Sequence, residues 1–248
     1  MKRLYLFISL LLTGIFIAGP VLAAVATTSF ETTDGSTVPT DGALIEGTGD
    51  GTGWSGNWIL DSTGHVYDNA IAKPTGGGSW VAEMAGTRTL QRAYASTQAI
   101  GNQIVRLRRT GSGNSAGWTV RGNTTVVAWR LNIGQGAGTD IVVAGATTEI
   151  CLTGFAADTW YKTEMEWDTG ANTARCRVDD GAWSATVARE GGTGGVTHFS
   201  MLTDDSPRIT YWDFFEDGAP VAAPVKDNNW FFLFPLTIWP FVPLPKQA

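Results

Sequence analysis

The chain has 248 residues, a formal charge of −6, 43% hydrophobic residues and only 16% charged ones. The charged share is well below the roughly 25% of an average globular protein, and 31 glycines exceed the usual ~7%. That profile excludes a coiled coil or long-helix protein. The 11 Trp, 11 Phe and 5 Tyr exclude a disordered chain, and the acidic balance argues against nucleic acid as a partner.

Lys2 and Arg3 open the chain with positive charge, and residues 4–18 form an apolar run. Gly19-Pro20 then breaks any helix, and Val21-Leu22-Ala23 places small residues where a signal peptidase reads. Residues 1–23 therefore read as a secretory signal; the run is shorter than the ~20 apolar residues a membrane span needs. Cleavage removes two cations and no acid, so the mature charge becomes −8. The expected location is secreted, extracellular or cell-surface, with a periplasm also open.

Residues 24–218 read as one all-β domain. Short runs rich in Val, Ile, Thr and aromatics alternate with turns of Gly, Asn, Asp and Ser, at 103–108, 119–121, 125–133, 140–144, 148–152, 160–167, 175–178, 197–201 and 209–215. Only 69–73 and 93–99 tolerate a helix. Many strands without intervening helices predict antiparallel sheets packed face to face.

One hairpin can be registered from sequence alone. Tyr161, Thr163, Met165 and Trp167 alternate with Trp160, Lys162, Glu164, Glu166 and Asp168, and a turn at 169–172 leads into 173–179. Setting Asp168 opposite Thr173 brings Glu166 to Arg175, Met165 to Cys176 and Glu164 to Arg177. One face is then apolar and the other carries two opposed Glu/Arg pairs; a one-residue slip would destroy both.

Phe30-Glu31, the run GTGWSGNW at 51–58, Trp160-Tyr161-Lys162 leading to Asp168, VDDGAW at 178–183 and Tyr211-Trp212-Asp213 together resemble the concanavalin-A-like lectin/glucanase group, in particular its secreted laminin-G-like modules. The resemblance covers about residues 27–217. It implies a two-sheet jelly-roll sandwich and an extracellular protein that binds carbohydrate, cleaves it or mediates adhesion, with fold alone not deciding among these.

Three chemistries are open. Glycosidases need two flanking carboxylates, and laminarinase-like members of the resembled group set Glu, Asp and Glu at alternating positions of one strand. Glu164, Glu166 and Asp168 alternate in that way, but the central residue is Glu and arginines stand opposite the first two, which depresses rather than raises a carboxyl pKa. The strand is expected to be structural; were the protein an enzyme, Glu164 and Glu166 would carry it. The resemblance also implies a structural calcium joining the first and last strands, with Glu31 and Asp213 as ligands. Sugar binding would use aromatic platforms with polar side chains: Trp54, Trp58, Trp80 and Trp118, in or beside Gly-rich loops, are ligand contacts or plugs at the ends of the sandwich. Arg88, Arg106 and Arg108 are the polar candidates, the latter two on one face of their strand. His65 and His198 are too few for a histidine-rich metal site, and a Ser200/His198/Asp triad has no informative spacing.

Cys151 and Cys176 in an exported chain suggest a disulfide. A meander of 148–152, 160–167 and 175–178 would, however, hold them two strands apart, roughly 9.6 Å, beyond the ~7 Å a bridge tolerates. Two buried thiols are expected. Residues 219–248 read as a Pro-rich linker and an aromatic tail in which Pro235, Pro240 and Pro243 interrupt the apolar stretch. The tail is either an attachment to a surface or partner, or a strap on the domain itself. The leading expectation is a non-catalytic module recognising an extracellular glycan or cell-surface polymer; a glycoside hydrolase or lyase, and an adhesive protein attached by its tail, are the alternatives.

Overall fold

A computed structural model describes residues 26, 28, 30, 37–45, 47–49, 51–60, 65–71, 79–86, 88–111, 116–135, 139–203 and 209–213. Residues 1–23, read above as a signal, Glu31 and residues 219–248 lie outside the described residues. No helix among those described is long and apolar enough to cross a membrane.

The described residues form fourteen strands and no helix. They are β1 (Trp54–Leu60), β2 (His65–Asp68), β3 (Val81–Ala85), β4 (Arg88–Gln98), β5 (Ile100–Arg109), β6 (Ala116–Arg121), β7 (Val127–Gln135), β8 (Asp140–Ala144), β9 (Thr148–Leu152), β10 (Trp160–Asp168), β11 (Thr173–Val178), β12 (Val187–Ala188), β13 (Val196–Thr203) and β14 (Ile209–Asp213). Sheet one runs β1-β4-β13-β6-β7-β8-β9 and sheet two runs β12-β11-β10-β5-β14-β3-β2. Every neighbouring pair is antiparallel. This is the two-sheet sandwich that the resemblance implied.

Alternation decides which side chains fill the space between the sheets. Along β5, Val105 and Leu107 point inward while Ile104, Arg106 and Arg108 point out. Trp118, Leu131 and Val143 form one inward row across β6, β7 and β8. Five tryptophans, Trp58, Trp118, Trp129, Trp167 and Trp212, are among the largest fully buried side chains. Their burial of large apolar area is the main stabilising term, at roughly 25 cal/mol per Å² removed from water. Polar links also cross the core: Trp118 Nε1 of sheet one donates to Thr163 Oγ1 of sheet two at 3.0 Å, and Tyr94 Oη of sheet one donates to Gln103 Oε1 of sheet two at 3.3 Å.

The hairpin β10–β11 has the register read from sequence, with Asp168 opposite Thr173, Glu166 opposite Arg175, Met165 opposite Cys176 and Glu164 opposite Arg177. Two expectations need correction. The helix-tolerant stretch 93–99 lies almost wholly in β4, where ladders to β1 and β13 on either side outweigh the local preference of its alanines; the described part of 69–73 is not helical either. The cysteines form a disulfide, Cα to Cα 5.7 Å. The meander assumed for them does not exist, because β9 is an edge of sheet one while β10 and β11 belong to sheet two. The bridge therefore ties the two sheets together near their edges.

Candidate functional site

The outer face of sheet two carries the acidic pair singled out in the sequence. Glu164 is only 2% exposed; its Oε2 accepts from Arg177 Nε at 2.5 Å and its Oε1 from Asn102 Nδ2 at 2.6 Å. Glu166 accepts from Arg175 Nε. The hydrogen bond to Glu164 raises the Arg177 pKa above its ordinary value. The Trp183 ring then covers both guanidinium groups, at 4.8 Å from Arg175 and 4.6 Å from Arg177. Both carboxylates are thus neutralised by fixed partners, and Glu164 has almost no access to solvent. An adjacent fixed cation disfavours the protonated form that a general acid must hold.

The two predicted arginines on β5 extend this charged face. Arg106 lies opposite Lys162 and Asp213, and Arg108 opposite Trp160 and Tyr211. Arg108 Nη2 reaches Asp158 Oδ1 at 3.2 Å, and its guanidinium sits 5.8 Å from the Tyr211 ring centroid. Lys162 Nζ meets Asp180 Oδ1 at 2.9 Å, and that hydrogen bond lowers the Asp180 pKa. Arg88 stands on β4 opposite Thr203, in the other sheet. The three arginines are therefore not gathered into one site.

A carboxyl the sequence reading passed over lies further along sheet two. Glu83 on β3 faces Val66 and Tyr211. Burial, a hydrogen bond to Asp68 and the charges of Asp68 and Asp41 push its pKa up to about 7. Contact this close leaves no room for a glycosidic bond between the two carboxyls, which glycosidases hold about 5–10 Å apart.

Of the four tryptophans expected in or beside Gly-rich loops, three stand in strands and Trp80 lies just before β3. Trp54 and Trp58 are in β1, and Trp118 is in β6. Trp58 and Trp118 are interior, at 1% and 0% exposure, and Trp80 is also buried. Trp54 stacks on Tyr94 at 5.2 Å with Arg92 over its ring at 5.4 Å. Trp58, Trp80 and Trp118 are therefore core side chains, and of the four Trp54 is the one partly exposed.

The outer face of sheet one is different in kind. Pairing sets Gln91, Ser200, Thr119, Arg130 and Ala144 in one row across β4, β13, β6, β7 and β8. A second row holds Ala93, His198 and Arg121, and a third Thr89, Leu202, Gly117, Asn132 and Val142. Ser200 and Thr119 form the buried floor. Ser200 Oγ has no hydrogen bond, and Thr119 Oγ1 accepts from Arg121 Nε at 3.1 Å. Partly exposed Gln91, His198, Arg121 and Arg130 surround them. Arg130 is paired with Glu190. His198 Nδ1 lies 2.8 Å from Thr197 Oγ1 and not on Ser200, so no Ser–His couple forms; burial and the Arg121 charge lower its pKa. The glycine run 191–195 wraps a cation, with Arg189 donating to the Gly191 and Gly194 carbonyls at 2.7 and 2.5 Å.

For calcium, Asp213 is fully buried at the end of β14, with Arg106 opposite. Among the described residues no three His, Cys, Asp or Glu side chains converge as metal ligands. The other expected ligand, Glu31, lies outside the described residues.

No family model matches the chain, and no curated protein does. Solved structures similar to it include a sialidase, at 12% identity over 71% of this chain with TM-score 0.49, where the chain spans only 18% of the sialidase. Domain 4 of AbnA, a GH43 extracellular arabinanase from Geobacillus stearothermophilus in complex with arabinotriose, is similar at 9% identity over 71% of this chain and 94% of that one, TM-score 0.43. The lectin UEA-II complexed with galactose is similar at 9% identity over 70% and 99%, TM-score 0.38.

The polar face of sheet one is what sequence reasoning missed. The alternation of 197–201 already places His198 and Ser200 on one side of a strand. Nothing local joins them to Gln91, Thr119 and Arg130, which arrive from three other strands.

Proposed function

We propose that the protein is a secreted, non-catalytic module that recognises an extracellular glycan or cell-surface polymer through the outer face of sheet one. The observation that carries the reading is the row Gln91–Ser200–Thr119–Arg130 with His198 and Arg121 beside it. Amide, hydroxyl, imidazole and guanidinium groups are the donors and acceptors that sugar hydroxyls use. Glu190, tied to Arg130, is the carboxylate nearest that row in the described ion pairs. The locked state of Glu164 and Glu166 favours recognition over hydrolysis. The disulfide favours an oxidising compartment, in keeping with a cleaved signal at 1–23.

A panel of immobilised neutral and acidic polysaccharides, probed with the full mature chain, tests this. Binding to at least one polymer is expected, reduced about tenfold or more in a Gln91→Ala/His198→Ala variant that keeps its fold. No binding to any polymer, or undiminished binding by the variant, contradicts it. Repeating the panel with a calcium chelator tests the ion expected between Glu31 and Asp213. Deleting 226–248 and measuring surface retention separates the adhesive reading of the tail.

A further inference from the structure

On the opposite side of the sandwich, the end of the β10–β11 hairpin borders an open cavity of about 210 Å³. That is smaller than the roughly 300–1,000 Å³ of pockets that hold drug-sized ligands, and suits a single small ring. Two cross-strand rows build it: Ile100–Asp168–Thr173 and, beside it, Glu166–Arg175. Thr186, from the segment after Trp183, closes one wall.

Its polar groups are held in place before any ligand arrives. Asp168 Oδ1 accepts from the Gly170 and Ala171 amides at 2.7 and 3.0 Å. Arg175 is fixed by Glu166 on one side and by the Trp183 ring on the other, yet its side chain remains 40% exposed. Ile100 is 55% exposed and offers an apolar wall. Two carboxylates and one guanidinium leave the cavity with a net negative charge. An anionic ligand would be repelled, and a polyol with one apolar face would be accepted. Preorganised groups of this kind lose little entropy on binding.

We infer that this cavity is a second binding site, for one non-anionic pyranose unit, with Ile100 against the C–H face of the ring and Glu166, Asp168, Thr173, Arg175 and Thr186 at its hydroxyls. It lies on the outer face of sheet two, so it does not depend on the reading given above for sheet one. A chain with both sites would bind glycan from two sides.

Amide chemical-shift mapping of the full mature chain with methyl glucoside, glucosamine and glucuronate tests the site. The expected result is saturable, millimolar shifts at 100, 166–175 and 186 with the first two sugars and none there with glucuronate. An Ile100→Asp variant, altered at an exposed position, weakens the methyl glucoside shifts about tenfold and leaves polysaccharide binding by sheet one unchanged. Absence of shifts at the hairpin, shifts confined to sheet one, or equal binding of glucuronate each overturns the inference. The sheet-one reading fails separately, through the Gln91→Ala/His198→Ala comparison.

Discussion

Trp118 and Thr163 meet in the interior of the sandwich, indole Nε1 donating to hydroxyl Oγ1 at 3.0 Å, and the Thr163 hydroxyl in turn donates to the Val105 carbonyl at 2.8 Å. Both residues are fully buried. The two sheets are thus joined by a directional bond inside a largely apolar core, alongside the buried contacts of Tyr94 with Gln103 and of Arg109 with the Ile133 carbonyl. Thr163→Val keeps the volume but orphans the indole N–H. Because an unsatisfied buried donor costs about 1–3 kcal/mol, a loss in that range is expected by urea unfolding, with an unchanged denaturant slope.

Glu164 and Arg177 give a second test, in which the two partners respond unequally. Arg177→Met strands a carboxylate that is 2% exposed, and removal of one partner from a buried pair costs about 3–5 kcal/mol. Glu164→Gln removes the buried charge itself and retains an amide for Asn102, so its cost is smaller. Thermal unfolding of the two variants checks the order. Equal losses would mean that Glu164 is better solvated than the structure has it.

The Cys151–Cys176 bridge closes a separation of 25 residues, for which loop-closure entropy gives about 3.5 kcal/mol at room temperature. Reduction, or a Cys151→Ser/Cys176→Ser variant, is expected to lower the unfolding free energy by about that amount. Hydrogen exchange should rise first along β9, the edge strand that the bridge holds to β11. Protection of β9 unchanged after reduction would contradict the role assigned to the bridge.

Glu83 sets a pH dependence whose sign is fixed by the direction of its shift. An acid with a raised folded pKa keeps its proton after the unfolded chain has released its own, so its contribution to stability falls as pH rises from the ordinary 4.5 to about 7. Glu83→Gln has no proton to lose there. The variant should match the parent near the lower limit and become the more stable of the two above the upper one. A stability difference independent of pH would contradict the environment described for Glu83.

The hairpin was legible to the residue because two independent patterns, apolar alternation and charge complementarity, converge on one register for Glu166–Arg175 and Glu164–Arg177. Where only one pattern exists, legibility fails. In β1, Gly56 takes a φ of 69° and the pairing shifts between Ser55 and Ile59, so the alternation of a strand is broken and Trp54 and Trp58 read as loop residues. The disulfide was obscured for a related reason. Nothing within 148–178 tells that the chain changes sheets between Leu152 and Trp160. The face of sheet one depends on contacts among strands far apart in sequence, which local alternation does not encode.

The most direct measurement pairs equilibrium binding with product release on one polysaccharide ligand, using the mature chain, the Gln91→Ala/His198→Ala variant and Glu164→Gln. Saturable binding is expected that weakens about tenfold in the sheet-one variant, survives Glu164→Gln, and is accompanied by no new reducing ends. Release of reducing sugar that disappears in Glu164→Gln would contradict it and make the protein a glycoside hydrolase acting through sheet two.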